Sequence, residues 1–183
     1  MKSICVYCGS SPGARPDYIE AARELGKEMG RRDIGLVYGG ASIGVMGAIA
    51  DSVLESGGTV TGVIPRALMD KEISHGGLTR LKLVETMHER KMAMAKAADG
   101  FIALPGGLGT IEELFEILTW SQLRLHQKPC AVMEVSGYFQ YLLRFLRHAE
   151  EEEFVKPAHR GMLITGNDPA EVLNKMADYT PSY

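Results

Sequence analysis

The sequence predicts an α/β fold of the Rossmann-like, doubly wound class, in which a mostly parallel sheet carries helices on both faces. Three observations predict it. Apolar runs with little polar alternation, typical of buried strands, recur along the chain. Segments with apolar residues at helical spacing separate these runs, and such alternation produces parallel strands joined by right-handed crossovers. Glycine or proline punctuates the runs, as expected where a strand gives way to a loop.

Each predicted strand is a short apolar run of this kind. The first, SICVY, precedes a polar, glycine-containing segment, and the fifth leads directly into the sequence PGGLG. In order, the predicted strands span residues 3–7, 35–38, 59–64, 81–84, 100–104 and 130–135.

The segments between them repeat apolar residues every three or four positions, which indicates amphipathic helices. The last helix also has a start signal, because Asp168 can cap it and Pro169 suits its first turn. Four glutamates end the helix before it, and we interpret them as a solvated face. The predicted helices span residues 18–29, 45–54 and 87–98, a segment beginning at Thr110, and residues 138–153 and 168–177.

The length and composition predict a single α/β domain over residues 1–183. With 45% hydrophobic and 23% charged residues, the chain can bury a substantial core. A net charge of -3 gives no broad attraction to nucleic acid or to an anionic membrane, so neither is a predicted partner. The first residues turn polar too soon for a signal peptide or a membrane span. A cytoplasmic location is therefore expected.

Cysteines and histidines predict neither a redox pair nor a metal site. Cys5 and Cys8 form a C-x-x-C, but Cys5 lies inside an apolar run rather than at a helix start, so core thiols are expected. Three cysteines in a reducing compartment imply no disulfide framework. His88 and Glu89 lack the second histidine that a zinc-protease helix requires.

The most informative segment is FIALPGGLGTIEE, residues 101–113, in which an apolar run breaks into three glycines and restarts as a helix. Bare glycines let peptide N–H groups touch a ligand, and the helix start adds partial positive charge. The segment predicts a phosphate site, with a purely structural turn as the alternative. A second glycine-rich loop, residues 38–47, also follows a strand and favours nucleotide binding at this edge of the sheet.

The common nucleotide motifs do not fit. Walker A needs Gly-Lys-Ser/Thr after its glycines, whereas Gly109 is followed by Thr110 and Ile111. The loop after the first strand reads CGSSPG and departs from the dinucleotide fingerprint. A P-loop NTPase and an NAD enzyme are therefore disfavoured.

Charged residues flank the predicted phosphate loop. Arg90 and Lys91 open a helix on the rim where the loop lies, so they could clamp an anion, although a solvated helix face is the common alternative. Glu113 lies in the first turn of the following helix, on a side away from the core, where the helix dipole and nearby cations favour the ionised carboxylate. It could hold ribose hydroxyls, orient water or stabilise positive charge on a sugar ring; a capping glutamate is the alternative.

Together, YGGASIGVMG, MHERK and PGGLGTIEE resemble the Lonely Guy family of phosphoribohydrolases, which act on cytokinin riboside 5′-monophosphates and often on AMP. The family signature PGGxGTxxE is met in full from Pro105 to Glu113, and the likeness runs along nearly the whole chain. It implies hydrolysis of the N-glycosidic bond between a base and ribose 5-phosphate, with no metal or organic cofactor. It also implies a homodimer with its sites near the interface.

The resemblance also assigns roles to residues. It implies Arg90 and Glu113 as the catalytic pair, with Arg90 holding the sugar or its phosphate and Glu113 activating water or stabilising an oxocarbenium ion. The backbone from Gly107 to Thr110 would bind the phosphate of a nucleoside monophosphate. The implied substrate-binding residues are Glu72, Arg90, Lys91, Gly107, Leu108, Gly109, Thr110, Ile111, Glu112, Glu113 and Thr119.

Other functions stay open from the sequence. Family members often carry the label lysine decarboxylase, but 183 residues leave little room for the second domain of a common pyridoxal-phosphate enzyme. A non-catalytic nucleotide sensor would be favoured by loss of Arg90 or Glu113, and both are present. A sugar-phosphate transferase would exchange bases. The base itself is also undetermined, because its possible walls are as easily core residues: Tyr7, Met87, Met94 and Trp120.

Overall fold

The computed structural model describes residues 1–69 and 75–181 and contains a single sheet of seven strands, all parallel. The strands are β1 (Ser3–Tyr7), β2 (Gly35–Tyr38), β3 (Val60–Pro65), β4 (Arg80–Val84), β5 (Gly100–Ala103), β6 (Cys130–Met133) and β7 (Leu163–Gly166). Their order across the sheet is β4-β3-β2-β1-β5-β6-β7.

Helices cover both faces of this sheet. They are α1 (Asp17–Arg31), α2 (Gly44–Glu55), α3 (Met87–Ala97), α4 (Leu108–Gln122), α5 (Gln140–Glu151), α6 (Pro157–Arg160) and α7 (Pro169–Ala177). Buried residues of α1, α2 and α7 pack on one face, and those of α3, α4 and the start of α5 pack on the other. The predicted fold class is confirmed, and the sheet is wholly rather than mostly parallel.

The first strand shows how the sequence accommodates two buried faces. Ile4 and Val6 pack with the α1 and α2 side, whereas Cys5 and Tyr7 pack with the α3 and α4 side. Cys8 returns to the first face, so the two cysteines of the C-x-x-C lie in different clusters. All three cysteines are free and buried, and burial raises the pKa of each thiol. The predicted core thiols are confirmed.

The predicted elements differ from the observed ones mainly at the end of the chain. Six strands lie within two residues of their predicted bounds. The β7 strand was not predicted, because it is a half-exposed edge strand whose apolar run is only three residues long. The four-residue α6 was also not predicted. The helix predicted at 138–153 begins at Gln140, because Ser136 and Gly137 before it have positive φ, and it ends at Glu151. The predicted Asp168 cap is confirmed: its side chain accepts from the Glu171 N–H at 2.9 Å.

The strand order places a crevice between β1 and β5. The chain builds outward from β1 to β4 on one side and from β5 to β7 on the other. Loops leaving the carboxyl ends of β1 and β5 therefore part in opposite directions, which opens a ligand crevice in sheets of this class. Within the described part of the chain, the helices are too short or too polar to cross a bilayer.

Candidate functional site

The glycine loop after β5 forms one wall of a cleft at this crevice. Gly107 is the extended N-cap of α4, so the peptide N–H groups of the first turn, Leu108 to Thr110, have no acceptor within their own helix. These residues line a cleft of ≈ 370 Å³ together with Arg90, Glu112 and Glu113. Exposed amides at a helix start suit an anion.

The glycines of the loop fall into two kinds. A Cβ on Gly106 would stand 2.1 Å from the Thr110 Oγ1 and 2.7 Å from the Gly9 nitrogen, so packing alone requires glycine there. A Cβ on Gly107 or Gly109 would meet nothing within 4 Å. Neither of these two has a positive φ, so the fold does not demand glycine at either position. The lack of a side chain at these two positions leaves their peptide groups open to a ligand.

This distinction predicts opposite effects for two alanine substitutions. Gly109→Ala should leave the melting temperature unchanged or slightly higher, because alanine favours a helix, yet weaken binding of a phosphate-bearing ligand about tenfold or more. Gly106→Ala should lower the melting temperature by several degrees through its clash with Thr110 and Gly9. Thermal unfolding measures the melting temperature of each variant, and titration with ribose 5-phosphate measures its ligand binding. Unchanged ligand binding by a well-folded Gly109→Ala protein would contradict the role given to the loop.

The second glycine-rich loop, residues 38–47, does not present its helix start to a ligand. The N–H of Val45 donates to the Ser11 carbonyl at 3.4 Å, and that of Met46 donates to the Gly9 carbonyl at 3.1 Å. Gly44 has φ +63 and lies so close to Ser10 that a Cβ would meet its carbonyl at 2.4 Å. These amides of the second loop therefore hold the β1–α1 loop in place, while Met46 of the same loop lines the cleft.

Arg90 is buried beneath the cleft. Only 4% of it is exposed, and its guanidinium donates to the carbonyls of Val63 at 3.1 Å and Gly39 at 2.9 Å. A Cβ on Gly39 would stand 2.1 Å from the Arg90 Nη2, so the guanidinium occupies the space that this glycine leaves. A buried cation held by carbonyls at the ends of two strands keeps a fixed direction. Arg90 therefore lines the same cleft as the glycine loop, as the sequence predicts from its position on this rim.

Glu113 differs from its predicted state. It lines the cleft but is half-buried, and burial raises its pKa from 4.5 to about 7, against an opposing effect of the Arg90 charge. The sequence predicts that the helix dipole and nearby cations favour the ionised carboxylate, whereas in the structure desolvation outweighs the Arg90 charge and favours the neutral form. Near neutral pH the carboxyl exchanges its proton readily, which suits a group that takes protons during a reaction.

Lys91 is paired with carboxylates of α4. Its Nζ binds Glu112 at 2.7 Å and Glu116 at 2.9 Å, bridging α3 to α4. These carboxylates raise its pKa, Glu112 most strongly. Lys91 is not among the lining residues, although its partner Glu112 is. The sequence predicts that Lys91 could help to clamp an anion, whereas in the structure its ammonium is paired with two carboxylates of α4.

The remaining predicted residues separate in the same way. Ile111 packs into the core between α4 and α5, and the exposed Thr119 donates to the Phe115 carbonyl at 2.7 Å, so neither lines the cleft. Glu72 lies outside the described residues. Leu108 is 91% exposed at the mouth of the cleft.

The cleft also has walls that the sequence did not reveal. Cys8, Gly9 and Ser10 from the β1–α1 loop line it, as do Met46 and Leu68. The MHERK motif contributes Met87, the one base-wall candidate that lines the cleft; Tyr7 and Met94 are core residues and Trp120 packs against them. Cys8, Gly9, Ser10 and Leu68 follow the ends of strands, and Met46 lies in the second glycine-rich segment, but neither position alone indicates a cleft wall. In residues 1–69 and 75–181, no three His, Cys, Asp or Glu side chains gather as a metal site would require.

Comparisons with known proteins decide the family. A family model described as possible lysine decarboxylase matches residues 46–176. A probable cytokinin riboside 5′-monophosphate phosphoribohydrolase from Oryza sativa subsp. japonica is 47% identical over 183 residues, covering 100% of this chain and 73% of that protein. A cytokinin riboside 5′-monophosphate phosphoribohydrolase from Arabidopsis thaliana is 48% identical over 183 residues, covering 100% and 86%. The chain belongs to the Lonely Guy family.

The Lonely Guy fold extends to more distant solved structures. The molybdenum cofactor carrier protein from Chlamydomonas reinhardtii matches with a TM-score of 0.73 at 20% identity over 96% of each chain. The molybdenum cofactor binding protein from Rippkaea orientalis matches with a TM-score of 0.72 at 18% identity over 97% of each chain. At these identities the likeness concerns the fold alone.

Proposed function

We propose that this protein hydrolyses the N-glycosidic bond of adenine-type nucleoside 5′-monophosphates, including cytokinin riboside 5′-monophosphates, and releases the free base and ribose 5-phosphate. One observation carries the proposal: exposed amides at the start of α4 lie in the same cleft as Arg90 and Glu113. The names of the Oryza and Arabidopsis relatives describe the same reaction. In this proposal residues 1–183 act as one nucleotide-binding domain.

The phosphate binds at the loop. The N–H groups of Leu108, Gly109 and Thr110 donate to its oxygens, and the open faces of Gly107 and Gly109 let it approach. Glu113 lies one turn further along α4, so the ribose is held beside it while the phosphate occupies the helix start. Holding the nucleotide by its phosphate lowers the entropic cost of aligning the glycosidic bond.

The bond then breaks between C1′ and the base nitrogen, which keeps the bonding electron pair and gains a proton from solvent. Positive charge on the ribose is stabilised by the ionised Glu113 carboxylate. Water adds to C1′, and Glu113 takes the proton that it loses. Arg90, fixed by two carbonyls, donates to an oxygen of the ribose phosphate, and Met46, Leu68 and Met87 form an apolar wall for the base.

A panel of nucleotides tests this function. AMP and N6-prenylated AMP should yield free base and ribose 5-phosphate, whereas the matching nucleosides should react at least about a hundredfold more slowly because they cannot use the loop. Quantified base release under identical conditions provides the measurement, and added labelled base distinguishes hydrolysis from exchange. Equal rates with and without the 5′-phosphate would contradict the proposal.

Two alternatives are less well supported. A nucleotide sensor would bind AMP without releasing base, but it has no use for a cleft carboxyl with a pKa of about 7 beside a buried arginine. A pyridoxal-phosphate decarboxylase needs a lysine in its cleft, and the described lining residues include none. Lys91 binds Glu112 and Glu116 and is not among the lining residues.

The proposal extends to assembly and location. Leu108, Leu123 and Leu125 are more than 60% exposed at the two ends of α4, with Thr119 between them, and apolar exposure of this kind favours a homodimer that covers α4. The three free thiols fit a reducing compartment such as the cytoplasm. The proposed hydrolysis requires no metal and no organic cofactor. It also involves neither nucleic acid nor a membrane.

A further inference from the structure

Tyr138 connects the loop after β6 to the glycine loop. Its hydroxyl donates a 2.5 Å hydrogen bond to the carbonyl oxygen of Gly106, which lies 32 positions earlier in the chain. The neighbouring Pro105 carbonyl accepts from the Gly9 N–H at 3.1 Å. The glycine loop is therefore fastened to the β1–α1 loop through Pro105 and to the β6–α5 loop through Gly106.

The glycine loop borders open space beyond Gly106. Besides the cleft with Glu113, a second cleft of ≈ 310 Å³ lies on the α1 and α2 side of the sheet, lined by Tyr18, Tyr138 and Gly106, among others. Gly107 lines both clefts. Gly106 is closely packed, but a Cβ on Gly107 would meet nothing within 4 Å. Gly107 therefore gains little from packing, and its position depends on how the Gly106 peptide before it is held.

The backbone that presents Tyr138 is itself constrained. Ser136 has φ 51 and Gly137 has φ 78, a left-handed pair that costs free energy at the serine. The Ser136 hydroxyl donates to the Asp17 carboxylate at the start of α1, and the Arg15 side chain donates to the Ser136 carbonyl at 3.5 Å. These bonds to α1 and the segment before it hold the turn in the conformation that brings Tyr138 over the glycine loop.

The ring of Tyr138 is oriented by two aromatic neighbours. It meets Tyr18 edge to face with ring centroids 5.5 Å apart, and Phe139 in the same way at 5.0 Å. Phe139 is buried, so it gives the ring a rigid support. The hydroxyl is thus directed at Gly106 by contacts that do not involve the hydroxyl itself.

We propose that Tyr138 is a positioning residue for the phosphate of the substrate. By holding the Gly106 carbonyl, it fixes the peptide planes that lead into the first turn of α4 and so aligns their N–H groups with the phosphate oxygens. The proposal rests on the proposed function for its substrate. The proposal requires a preformed anion site, and the binding of ribose 5-phosphate measures that site without any reaction.

The test compares Tyr138→Phe with wild type. Titration calorimetry should show ribose 5-phosphate bound about fivefold more weakly, the effect of one lost hydrogen bond on a preformed site. The KM for AMP should rise by the same factor with kcat within about twofold, because phosphate contacts are equal in the ground and transition states. The retained ring should keep the melting temperature close to that of wild type. Tyr141→Phe, at a tyrosine 70% exposed on α5, is the matched control and should bind and react as wild type.

Three results would overturn the proposal. One is an unchanged dissociation constant for ribose 5-phosphate in Tyr138→Phe. Another is a fall in kcat with binding unaffected, which would indicate a different role for the hydroxyl. The third is an equal loss in Tyr141→Phe. If wild type cleaves no AMP but binds ribose 5-phosphate more tightly than Tyr138→Phe does, the reaction assigned above fails while the positioning role stands.

Discussion

Replacing Glu113 by glutamine should reduce base release from AMP about a thousandfold, the largest loss expected from any single substitution in the cleft. Glutamine preserves the size of the side chain but neither stabilises a cationic ribose nor accepts a proton from water. Binding of ribose 5-phosphate should change little, because the phosphate is held by the backbone one turn earlier in α4. Single-turnover base release measures the loss, and calorimetry measures the retained binding.

The same carboxyl should determine the pH dependence. Burial raises its pKa to about 7, so kcat/KM for AMP should fall tenfold per pH unit below that value, and the residual activity of Glu113→Gln should lack this dependence. Stability should respond with the opposite sign. A raised pKa favours the protonated folded state, so wild type loses stability as pH rises through 7, and the melting temperature of Glu113→Gln should exceed that of wild type more at pH 8 than at pH 5.

Glu116→Gln is the matched control, one turn further along α4. Its carboxylate binds Lys91 and does not line the cleft, and Lys91 keeps Glu112 as a partner. Base release should stay within about threefold of wild type. Activity that increases as the pH falls below 7 would contradict the base role of Glu113 and indicate a proton donor.

Replacing Arg90 by lysine should reduce kcat/KM about a hundredfold. The guanidinium donates to the carbonyls of Val63 and Gly39 while keeping a fixed direction toward the cleft, and an ammonium cannot reproduce this planar fork. The space opposite Gly39 would also be left partly empty, so the melting temperature should fall by several degrees. Activity is therefore measured well below the transition, on protein shown to be folded by circular dichroism.

Arg31→Lys makes the same change at an exposed position. Arg31 pairs with Glu28 on α1 with 77% of its side chain exposed, so neither activity nor melting temperature should change measurably. Near-normal turnover in folded Arg90→Lys would contradict the view that a directed guanidinium is required.

Much of the fold could be predicted because its strands are buried on two faces and read as plain apolar runs. The β7 strand was not predicted, because it lies at the sheet edge, where its residues are half-exposed and its apolar run is short. The first residue of α5 was predicted two positions too early for a different reason. The left-handed Ser136 and Gly137 depend on a bond from Ser136 to Asp17, more than a hundred residues earlier.

The site could be predicted only in part, because burial and partners depend on the folded chain. Two glycine loops look alike in sequence, yet α2 donates its first amides to the β1–α1 loop, whereas α4 leaves its own open to the cleft. Lys91 neighbours Arg90 in sequence but turns toward Glu112 and Glu116. The pKa of Glu113 follows from desolvation, which position in a helix does not reveal.

The central claim is that the amides at the start of α4 hold a nucleotide phosphate and so present the glycosidic bond to Arg90 and Glu113. The most direct test is a crystal structure of Glu113→Gln with AMP, which should be bound but not cleaved. The phosphate should lie within hydrogen-bonding distance of the Leu108, Gly109 and Thr110 nitrogens, with the ribose beside residue 113. A phosphate bound elsewhere, for example in the cleft between Tyr18 and Tyr138, would contradict the claim.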